Sequence, residues 1–428
     1  MTPAYTKLIK ELAALDKTNS LLWKVYYDRI YNWFFLAIWT VSVILKKEAE
    51  YPPPKVALLH TVRVLIADRL PPGRACFLYK LIDKEIKSDF FIGDHVKSPM
   101  KKMNYHELSG FKSELKNIYL FGNIYWQKGA IKTLFSDYKH FIITGEPHCL
   151  STWIILLFAR VSFKKTYLWT HGWYGRESKI RKIIKKIFFG LSNHVLLYGD
   201  YARGLMIDEG FKVEKLHCIY NSLDYDTQIK VRKSLKRSNV FNERFGNDNP
   251  VLCYVGRIQK VKRLDMLIES MVILKNKYKK SLNLVIVGKE SEDTDINELI
   301  KINKLSDNVW FYGPSYDENE LGMIFYNSNL CVSPGNVGLT AIHSLTYGCP
   351  TITHNSFENQ GPEFESITPG ITGDFFEEKN IDDLALKINT WLELHPNNDD
   401  TIRNECYKVI DDKYNPHYQI QLLKSLLT

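Results

Sequence analysis

Residues 256–263, GRIQKVKR, place a glycine and two kinds of cation directly after an apolar run, VLCYV. Gly256 allows the chain to turn sharply where the predicted strand ends. Arg257 offers a planar fork of donors and Lys262 a compact charge. Together they suit the two phosphates of a leaving diphosphate, on which negative charge grows as a bond to it breaks. The alternative is a solvated turn at a helix start, because short basic motifs are not specific.

A second segment, residues 333–355, has the sequence SPGNVGLTAIHSLTYGCPTITHN and is predicted as strand end, glycine-rich turn, helix and next strand. Backbone amides at a helix N-terminus attract anions, because the donors are exposed and the helix dipole is positive there. A plain turn, with glycine present for steric reasons, is the alternative. Both segments follow strands of one predicted sheet, and this favours a joint phosphate site. Its candidate members in the turn are Gly335, Asn336, Val337, Gly338, Leu339 and Thr340.

Short apolar runs alternate with stretches of helical length from about residue 55 onward. Nearly continuous apolar runs that end in Gly, His or Asn are typical of parallel strands buried on both faces. We therefore predict an α/β fold of two Rossmann-like, doubly wound domains that face each other across a cleft, with ligands at the carboxyl ends of the strands. The predicted strands are 55–60, 89–93, 117–122, 140–145, 166–171, 194–199 and 215–221, then 251–256, 282–288, 308–313, 330–335 and 349–355.

The composition suggests the limits of these domains. Residues 224–250 are charged and poor in apolar side chains, which is typical of a linker. We predict a helical segment at 1–50, an acceptor domain at 51–223, a donor domain at 251–400, and a helical segment at 401–428 that packs back toward the N-terminal domain. The apolar stretch 31–45 has 15 residues, fewer than the roughly 20 of a spanning helix. It is predicted as a buried helix, with an interfacial helix and a membrane span as alternatives.

Charge and cysteine content indicate the partners and the compartment. The net charge of +9 fits an anionic partner such as nucleotide phosphates, acidic lipid headgroups or nucleic acid. Nucleic acid is the weakest option, because the basic residues form no recognised module. The seven cysteines are dispersed without a Cys-x-x-Cys pair, and the start of the chain does not resemble a secretory signal. We predict free thiols, no zinc site and a cytoplasmic protein, peripheral on the inner face of the membrane.

Taken together, the motifs resemble those of family 4 (group 1) glycosyltransferases, GT-B enzymes of bacterial surface polysaccharide synthesis. The matching pieces, within about residues 215–390, are GR at 256–257 with Lys262, VIVG at 285–288, VWFYG at 309–313, SP at 333–334 through GCP at 348–350, and 360–376. The resemblance implies a retaining transfer from a nucleotide-sugar donor without metal or cofactor. It implies that Gly256, Arg257, Lys262 and the turn at 335–340 hold the donor diphosphate and sugar. It also implies that Gly288 and Tyr312 flank the nucleobase.

One departure from the family concerns two glutamates, eight residues apart, that bind the sugar and the ribose. Gly335 and His343 stand at those positions. The donor is then held differently, with Asn336 and His343 as hydrogen-bonding substitutes, or the donor sugar is unusual, or the protein is inactive. The intact basic pair favours altered donor recognition. Glu363 and Glu365 are further candidates for binding sugar hydroxyls.

The N-terminal half offers a candidate proton acceptor. His171 directly follows the run TYLWT, and a neutral imidazole there could accept the proton of an acceptor hydroxyl. A structural histidine at a strand end is the alternative. The loops around it supply the predicted acceptor-binding residues Glu146, His148, Trp173 and Arg176.

The segment 178–191, SKIRKIIKKIFFGL, has apolar and basic residues at helical spacing. A basic amphipathic helix suits an anionic membrane surface. The alternative is a surface helix whose apolar stripe packs on its own domain. We expect a saccharide acceptor, with a lipid-linked saccharide as one form. Competing functions are a non-catalytic sugar- or membrane-binding subunit, an epimerase and a phosphorylase. The Asp-x-Asp sequences at 224–226 and 293–295 lie in polar loops, and we predict no metal site.

Overall fold

The structure, a computed structural model, describes residues 63–67, 76–97, 103–290, 294–396 and 399–427. Residues 61–428 form one compact unit. In the described part, 14 strands form two sheets. In chain order they are β1 Arg63–Ala67, β2 Asp89–Gly93, β3 Phe111–Phe121, β4 Ile124–Lys128, β5 His140–Thr144, β6 Lys165–Thr170, β7 His194–Leu197, β8 Leu216–Cys218, β9 Val251–Val255, β10 Asn283–Val287, β11 Val309–Gly313, β12 Leu330–Ser333, β13 Thr351–His354 and β14 Gly373–Phe376.

Helices cover and connect the two sheets. Most follow a strand and lead to the next parallel strand, as in repeated βαβ units. Those in the described part are α1 Cys76–Leu81, α2 Leu150–Val161, α3 Lys179–Leu191, α4 Asp200–Asp208, α5 Tyr225–Ser234, α6 Val240–Phe245, α7 Leu264–Lys277, α8 Ile296–Ile302, α9 Glu318–Asn327, α10 Thr340–Thr346, α11 Ile381–Leu394, α12 Asp400–Asp412 and α13 Pro416–Leu426. A π-helical turn, Ile82–Ile86, continues α1.

The first sheet has the strand order β4-β3-β2-β1-β5-β6-β7-β8. Its pairs are parallel except that β3 and β4 form an antiparallel hairpin. The central strands are almost fully buried, as the continuous apolar runs predicted. The loops after β5 and β6 therefore leave the carboxyl edge of a rigid sheet.

The second sheet is parallel throughout and has the order β11-β10-β9-β12-β13-β14. The strand order reverses between β9 and β12, which are neighbours in the sheet. Ligands of doubly wound sheets bind at such a reversal, outside the carboxyl ends of the strands. The basic segment after β9 and the glycine-rich turn after β12 therefore meet there. The predicted α/β fold with two doubly wound sheets is confirmed.

The last described helix joins the first sheet rather than the second. Ile420, Leu423 and Leu427 lie in the apolar cluster that contains Ile82 and Phe90. The ammonium of Lys424 lies 2.7 Å from a carboxylate oxygen of Glu85. The first half of the fold therefore shares its core with residues distant in sequence.

The structure differs from the sequence prediction at several places. Residues 224–250, predicted as a linker, contain α5 and α6, whose Val231 and Phe241 are buried in the core of the second sheet. The strand β1, the antiparallel strand β4 and the edge strand β14 were not predicted as strands. The predictions for 1–50, including the apolar stretch 31–45, and for the strand 55–60 concern residues outside the described part. Within the described part, no helix combines the length and apolar character that crossing a membrane requires.

Candidate functional site

The loops after β9 and β12 contact each other through backbone atoms. The amide of Gly335 donates to the carbonyl oxygen of Lys262 over 3.1 Å. A Cβ atom at residue 335 would lie 2.2 Å from the carbonyl oxygen of Val261 and 2.8 Å from the Cα of Lys262. Contacts under about 3 Å with backbone cannot be relieved by a rotamer change. Glycine at 335 is therefore required for the two loops to meet.

Two cations stand side by side at this junction. The Lys262 ammonium donates to the carbonyl oxygen of Asn336. Its burial lowers the pKa of Lys262, the neighbouring charge of Arg257 lowers it further, and Glu363 opposes the shift. The Arg257 side chain is exposed and forms no ion pair with any residue of the described part. The pair thus keeps an uncompensated positive charge, which a diphosphate would neutralise.

The turn at 335–340 keeps only part of its amides available. Val337 donates its amide to the side-chain oxygen of Gln360 over 2.9 Å, and its side chain is buried against Phe364. The amide and the side chain of Val337 are therefore engaged within the protein, and contact of this residue with a donor stays a prediction. Within the described residues, the amides of Gly338, Leu339 and Thr340 have no hydrogen-bond acceptor. These three amides, beside the two cations, remain for an anion.

Gln360 is a structural residue of the site that sequence reasoning missed. Its side-chain oxygen accepts the amide of Val337, and its Nε2 donates to Thr353 Oγ1 over 2.9 Å and to the carbonyl of His354 over 3.0 Å. Thr353 in turn donates to the carbonyl of Ser333 over 2.8 Å. Gln360 thereby ties the turn after β12 to the end of β13. A single glutamine in the loop 360–376 gave no signal of this partner.

The predicted donor residue His343 points elsewhere. It is buried in α10, with Nε2 2.9 Å from a carboxylate oxygen of Glu318 at the start of α9. The Tyr347 hydroxyl donates to the same oxygen over 2.7 Å, and the Phe325 ring lies 4.9 Å from the imidazole. The prediction that His343 replaces a donor-binding carboxylate is therefore corrected: it anchors α10 to α9. The sequence around His343 gave no indication of this partner, because Glu318 lies 25 residues upstream.

Two glutamates of the loop 360–376 link the halves of the fold. Glu363 is buried, and Asn221 donates to its Oε1 over 2.9 Å. Burial raises the pKa of Glu363, although Asn221 and the charge of Lys262 oppose the change. Glu363 therefore lies beside the cation pair at the junction of the two halves, as a donor-contacting residue would.

Glu365 accepts the first amides of α4, from Asp200 over 2.5 Å and from Tyr201 over 3.0 Å. A Cβ atom at residue 199 would lie 2.1 Å from Oε1 of Glu365, so glycine there permits the approach. Burial, with a smaller contribution from Asp200, raises the pKa of Glu365 to about 7, against the two amides and Lys413. The contact between the halves therefore depends on pH.

The raised pKa of Glu365 predicts how the free energy of unfolding changes with pH. Because the pKa of Glu365 rises from 4.5 to about 7 on folding, its contribution to the free energy of unfolding is complete below pH 4.5 and falls as pH rises toward 7. The expected fall is about 3–4 kcal/mol, at about 1.4 kcal/mol per pKa unit. Glu365→Gln does not titrate, so its stability relative to the native protein should rise over that window in urea unfolding at stepwise pH. The exposed Glu298→Gln should show no such trend, and parallel pH curves for Glu365→Gln would contradict the assignment.

His171 directly follows β6, as predicted. Its side chain keeps solvent-accessible surface between the rings of Tyr198, at 4.7 Å, and Tyr174, at 6.0 Å. The surrounding protein nevertheless desolvates it, which lowers its pKa, and the charge of Lys185 lowers the pKa further. The lowered pKa favours the neutral imidazole, which is the form that can accept a proton.

The predicted acceptor residues occupy different environments. Trp173 is buried against Phe189 and Phe211, so its prediction as an acceptor contact is wrong. The guanidinium of Arg176 donates to Asn359 Oδ1 over 2.6 Å, so this side chain contacts the second half of the fold. The remaining two lie in the loop after β5: Glu146 is partly exposed, and His148 is exposed.

The residues predicted to flank a nucleobase lie along β10 and β11. A Cβ atom at Gly288 would lie 1.8 Å from the carbonyl oxygen of Gly256, so Gly288 allows the loop after β9 to approach. Tyr312 is partly buried and its ring packs at 5.1 Å from Trp310. Contact of either residue with a base stays a prediction.

The Asp-x-Asp sequence at 224–226 has structural partners. Asp224 accepts the amide of Thr227 at the start of α5, over 3.3 Å. Asp226 lies 2.7 Å from Nε2 of His417. Asp293, from the second sequence, lies outside the described residues.

Comparison with known proteins finds a sequence match in the C-terminal half of the chain. Residues 236–408 match the profile of the family described as Glycosyl transferases group 1. An uncharacterized 41.2 kDa protein in the cps region of Klebsiella pneumoniae is 25% identical over 249 residues, which are 56% of this chain and 60% of that protein. The alignment thus spans less than two thirds of that relative.

Two solved structures share the fold over most of the chain. HepE of Anabaena in complex with UDP has a TM-score of 0.63 at 13% identity and covers 85% of this chain and 99% of its own. The apo form of the lipopolysaccharide outer core galactosyltransferase WaaB has a TM-score of 0.62 at 14% identity, with coverage of 85% and 99%. At such identities the likeness concerns the fold. Residues 236–408 thus match the glycosyl transferases group 1 family in sequence, and the two Rossmann-like sheets form a GT-B fold.

Proposed function

We propose that the protein transfers a sugar from a nucleotide-sugar donor to a saccharide acceptor. The observation that supports this most directly is the Arg257–Lys262 pair, uncompensated by any ion pair with the described residues, against the turn after β12. It lies where the strand order of the second sheet reverses. The family match over 236–408 supports the same reaction class.

In this proposal the two cations stabilise the leaving group. As the bond between the sugar and the diphosphate breaks, negative charge grows on the diphosphate. Arg257 offers two parallel donors, and Lys262, largely buried, offers a charge whose field is little screened. The amides of Gly338, Leu339 and Thr340 would add neutral donors. We propose, from the family resemblance, that the reaction retains the anomeric configuration and needs no metal.

Residues of both halves would orient the sugars. The neutral His171 can accept or orient the proton of the acceptor hydroxyl. Glu363, held by Asn221, can accept hydrogen bonds from hydroxyls of the donor sugar. Arg176, already directed to Asn359, lies at the edge of the same junction and can contact the acceptor.

We further propose a lipid-linked saccharide as acceptor and a location on the inner face of the membrane. WaaB is named as a lipopolysaccharide galactosyltransferase, and the Klebsiella relative comes from a cps region. These names concern those proteins and support the proposal only by analogy. The basic helix α3 supports it independently.

Thermal unfolding with a panel of nucleotides tests the proposal. A ligand that binds only the folded protein stabilises it by about 2.7 kcal/mol at 100 times its dissociation constant. We expect one nucleoside diphosphate and its sugar conjugates to raise Tm by several degrees, and the matching monophosphate to raise it less. No shift with any conjugate at millimolar concentration would contradict donor binding. A shift without nucleotide release in the presence of acceptors would favour the non-catalytic alternative.

A further inference from the structure

The isoleucines of α3 are only partly covered by the protein. Ile180, Ile183, Ile184 and Ile187 follow the spacing i, i+3, i+4, i+7, which places them on one face of the helix. Their exposed fractions lie between 41% and 55%. The helix is held instead by the buried Phe188 and Phe189 near its C-terminal end. The stripe is therefore only partly packed on its own domain.

The neighbouring helix α2 extends this apolar surface. Trp153 of α2 packs at 4.9 Å from Phe188, and the Arg160 guanidinium donates to the carbonyl of Gly190 over 3.4 Å. Leu157 lies between these two on the same face of α2, next to α3. Phe163, just beyond α2, is 94% exposed. Eight exposed apolar side chains of these two neighbouring helices and the residue after α2 are here called the apolar face: Leu157, Phe158, Val161, Phe163, Ile180, Ile183, Ile184 and Ile187.

Phe163 is held outward by its backbone. It adopts φ of +56°, a conformation that side chains with a Cβ rarely take. The amide of Lys164 donates to the carbonyl of Ala159 over 2.9 Å, and the Ser162 hydroxyl donates to the carbonyl of Phe158 over 2.8 Å. These bonds close the C-terminal end of α2. The aromatic ring of Phe163 is thus exposed directly after α2.

The charge around the apolar face has one sign. Residues 150–192 contain nine Lys and Arg but one acidic residue, Glu177, in a chain of net charge +9. Two lysines of α3 have structural roles: Lys182 pairs with Glu209 at 2.5 Å and Lys185 with Glu177 at 2.6 Å. Lys179, Arg181 and Lys186 are exposed and make no ion pair with other described residues.

We propose that this apolar face and its three exposed cations dock the protein on an anionic lipid bilayer. Isoleucine and phenylalanine side chains would enter the boundary of the acyl chains, while Lys179, Arg181 and Lys186 contact anionic headgroups. The inference rests on the proposed transfer to a lipid-linked acceptor and names the surface that brings the enzyme to it. A protein partner would need a large acidic surface to match this charge, whereas an anionic bilayer supplies that charge everywhere.

Flotation of the full chain with vesicles tests the proposal. We expect binding to vesicles of phosphatidylcholine with phosphatidylglycerol, little binding to pure phosphatidylcholine, and weakening in high salt. Ile183→Gln with Ile187→Gln should lower the bound fraction about tenfold, and so should Arg181→Gln with Lys186→Gln. Ile302→Gln, an exposed isoleucine of the second half, and Lys277→Gln are the matched controls and should bind as the native protein does.

Nucleotide-dependent thermal shifts of the same variants separate the two proposals. They should equal the native shift, because the docking face lies outside the donor site. A native protein that does not float, or variants that float unchanged, would overturn the docking surface. A native dimer that the isoleucine variant converts to a monomer, without vesicle binding, would make a second copy the occupant. If flotation depends on the face but no nucleotide shift occurs, the proposed function fails and the surface stands.

Discussion

Arg257→Ala is expected to lower kcat by about 10²–10³, the usual effect of removing one donor to a developing anion. The residue has no ion pair among the described residues, so its loss leaves no buried partner behind and should hardly change Tm. The neighbouring Lys262 keeps its contact with the carbonyl of Asn336. Steady-state kinetics with the donor identified by thermal shift measures the effect.

Two further variants sharpen this test. Arg257→Lys keeps the charge but loses the planar fork, so an intermediate rate is expected. Lys275→Ala removes an exposed cation near the other end of α7, about 15 Å along the helix from the site. It should leave the rate unchanged. A native rate for Arg257→Ala would remove the main support for leaving-group stabilisation at this junction.

Gly335→Ala is expected to reduce both stability and transfer. The added methyl group would meet the backbone of residues 261 and 262, at 2.2 Å from one carbonyl oxygen and 2.8 Å from a Cα. Overpacking of this kind costs about 1–3 kcal/mol. The loop must move by about 1 Å, and a displacement of that size at a catalytic group lowers rates by about 10². Urea unfolding and turnover measure the two effects.

The control for Gly335→Ala is Gly204→Ala in α4, where an added Cβ would have no atom within 4 Å. Alanine is about 1 kcal/mol more favourable than glycine inside a helix, so this control should be neutral or more stable. Equal stability and turnover of Gly335→Ala and the native protein would show that the two loops do not meet as described.

The same contact bears on the glutamate that the resemblance to group 1 glycosyltransferases implies at position 335. Any side chain at this position would collide with the loop after β9. The loop thus occupies the space next to the turn, and Lys262 reaches the carbonyl of Asn336. In the proposed reaction another residue must then contact the donor sugar. Glu363 is the candidate, because it lies close enough to Lys262 to influence the pKa of that lysine.

The sequence predicted those site residues that directly follow a strand. Gly256, Arg257 and Gly335 follow apolar runs, and parallel strands bring such residues to one edge. The partners of Val337 and His343 were not predictable, because Gln360 and Glu318 come from distant loops and helices. A local pattern does not specify such pairs.

Similar reasons explain the errors in the fold. β3 extends over residues 111–121, but its first half is mostly polar, so only the run 117–122 was recognised. Charged side chains suggested a linker at 224–250 because α5 and α6 each bury only a few apolar residues. Trp173 was taken as an acceptor contact since its loop follows β6, yet a tryptophan in such a loop can equally fold inward.

The position of α13 determines when the first sheet can complete its core. Ile420 and Leu423 pack with Ile82 and Phe90, more than 300 residues earlier in the chain. During synthesis the first half must therefore wait, with part of its apolar surface uncovered, until these residues have left the ribosome. Contacts of such separation form slowly, and the waiting intermediate is exposed to aggregation and to chaperones.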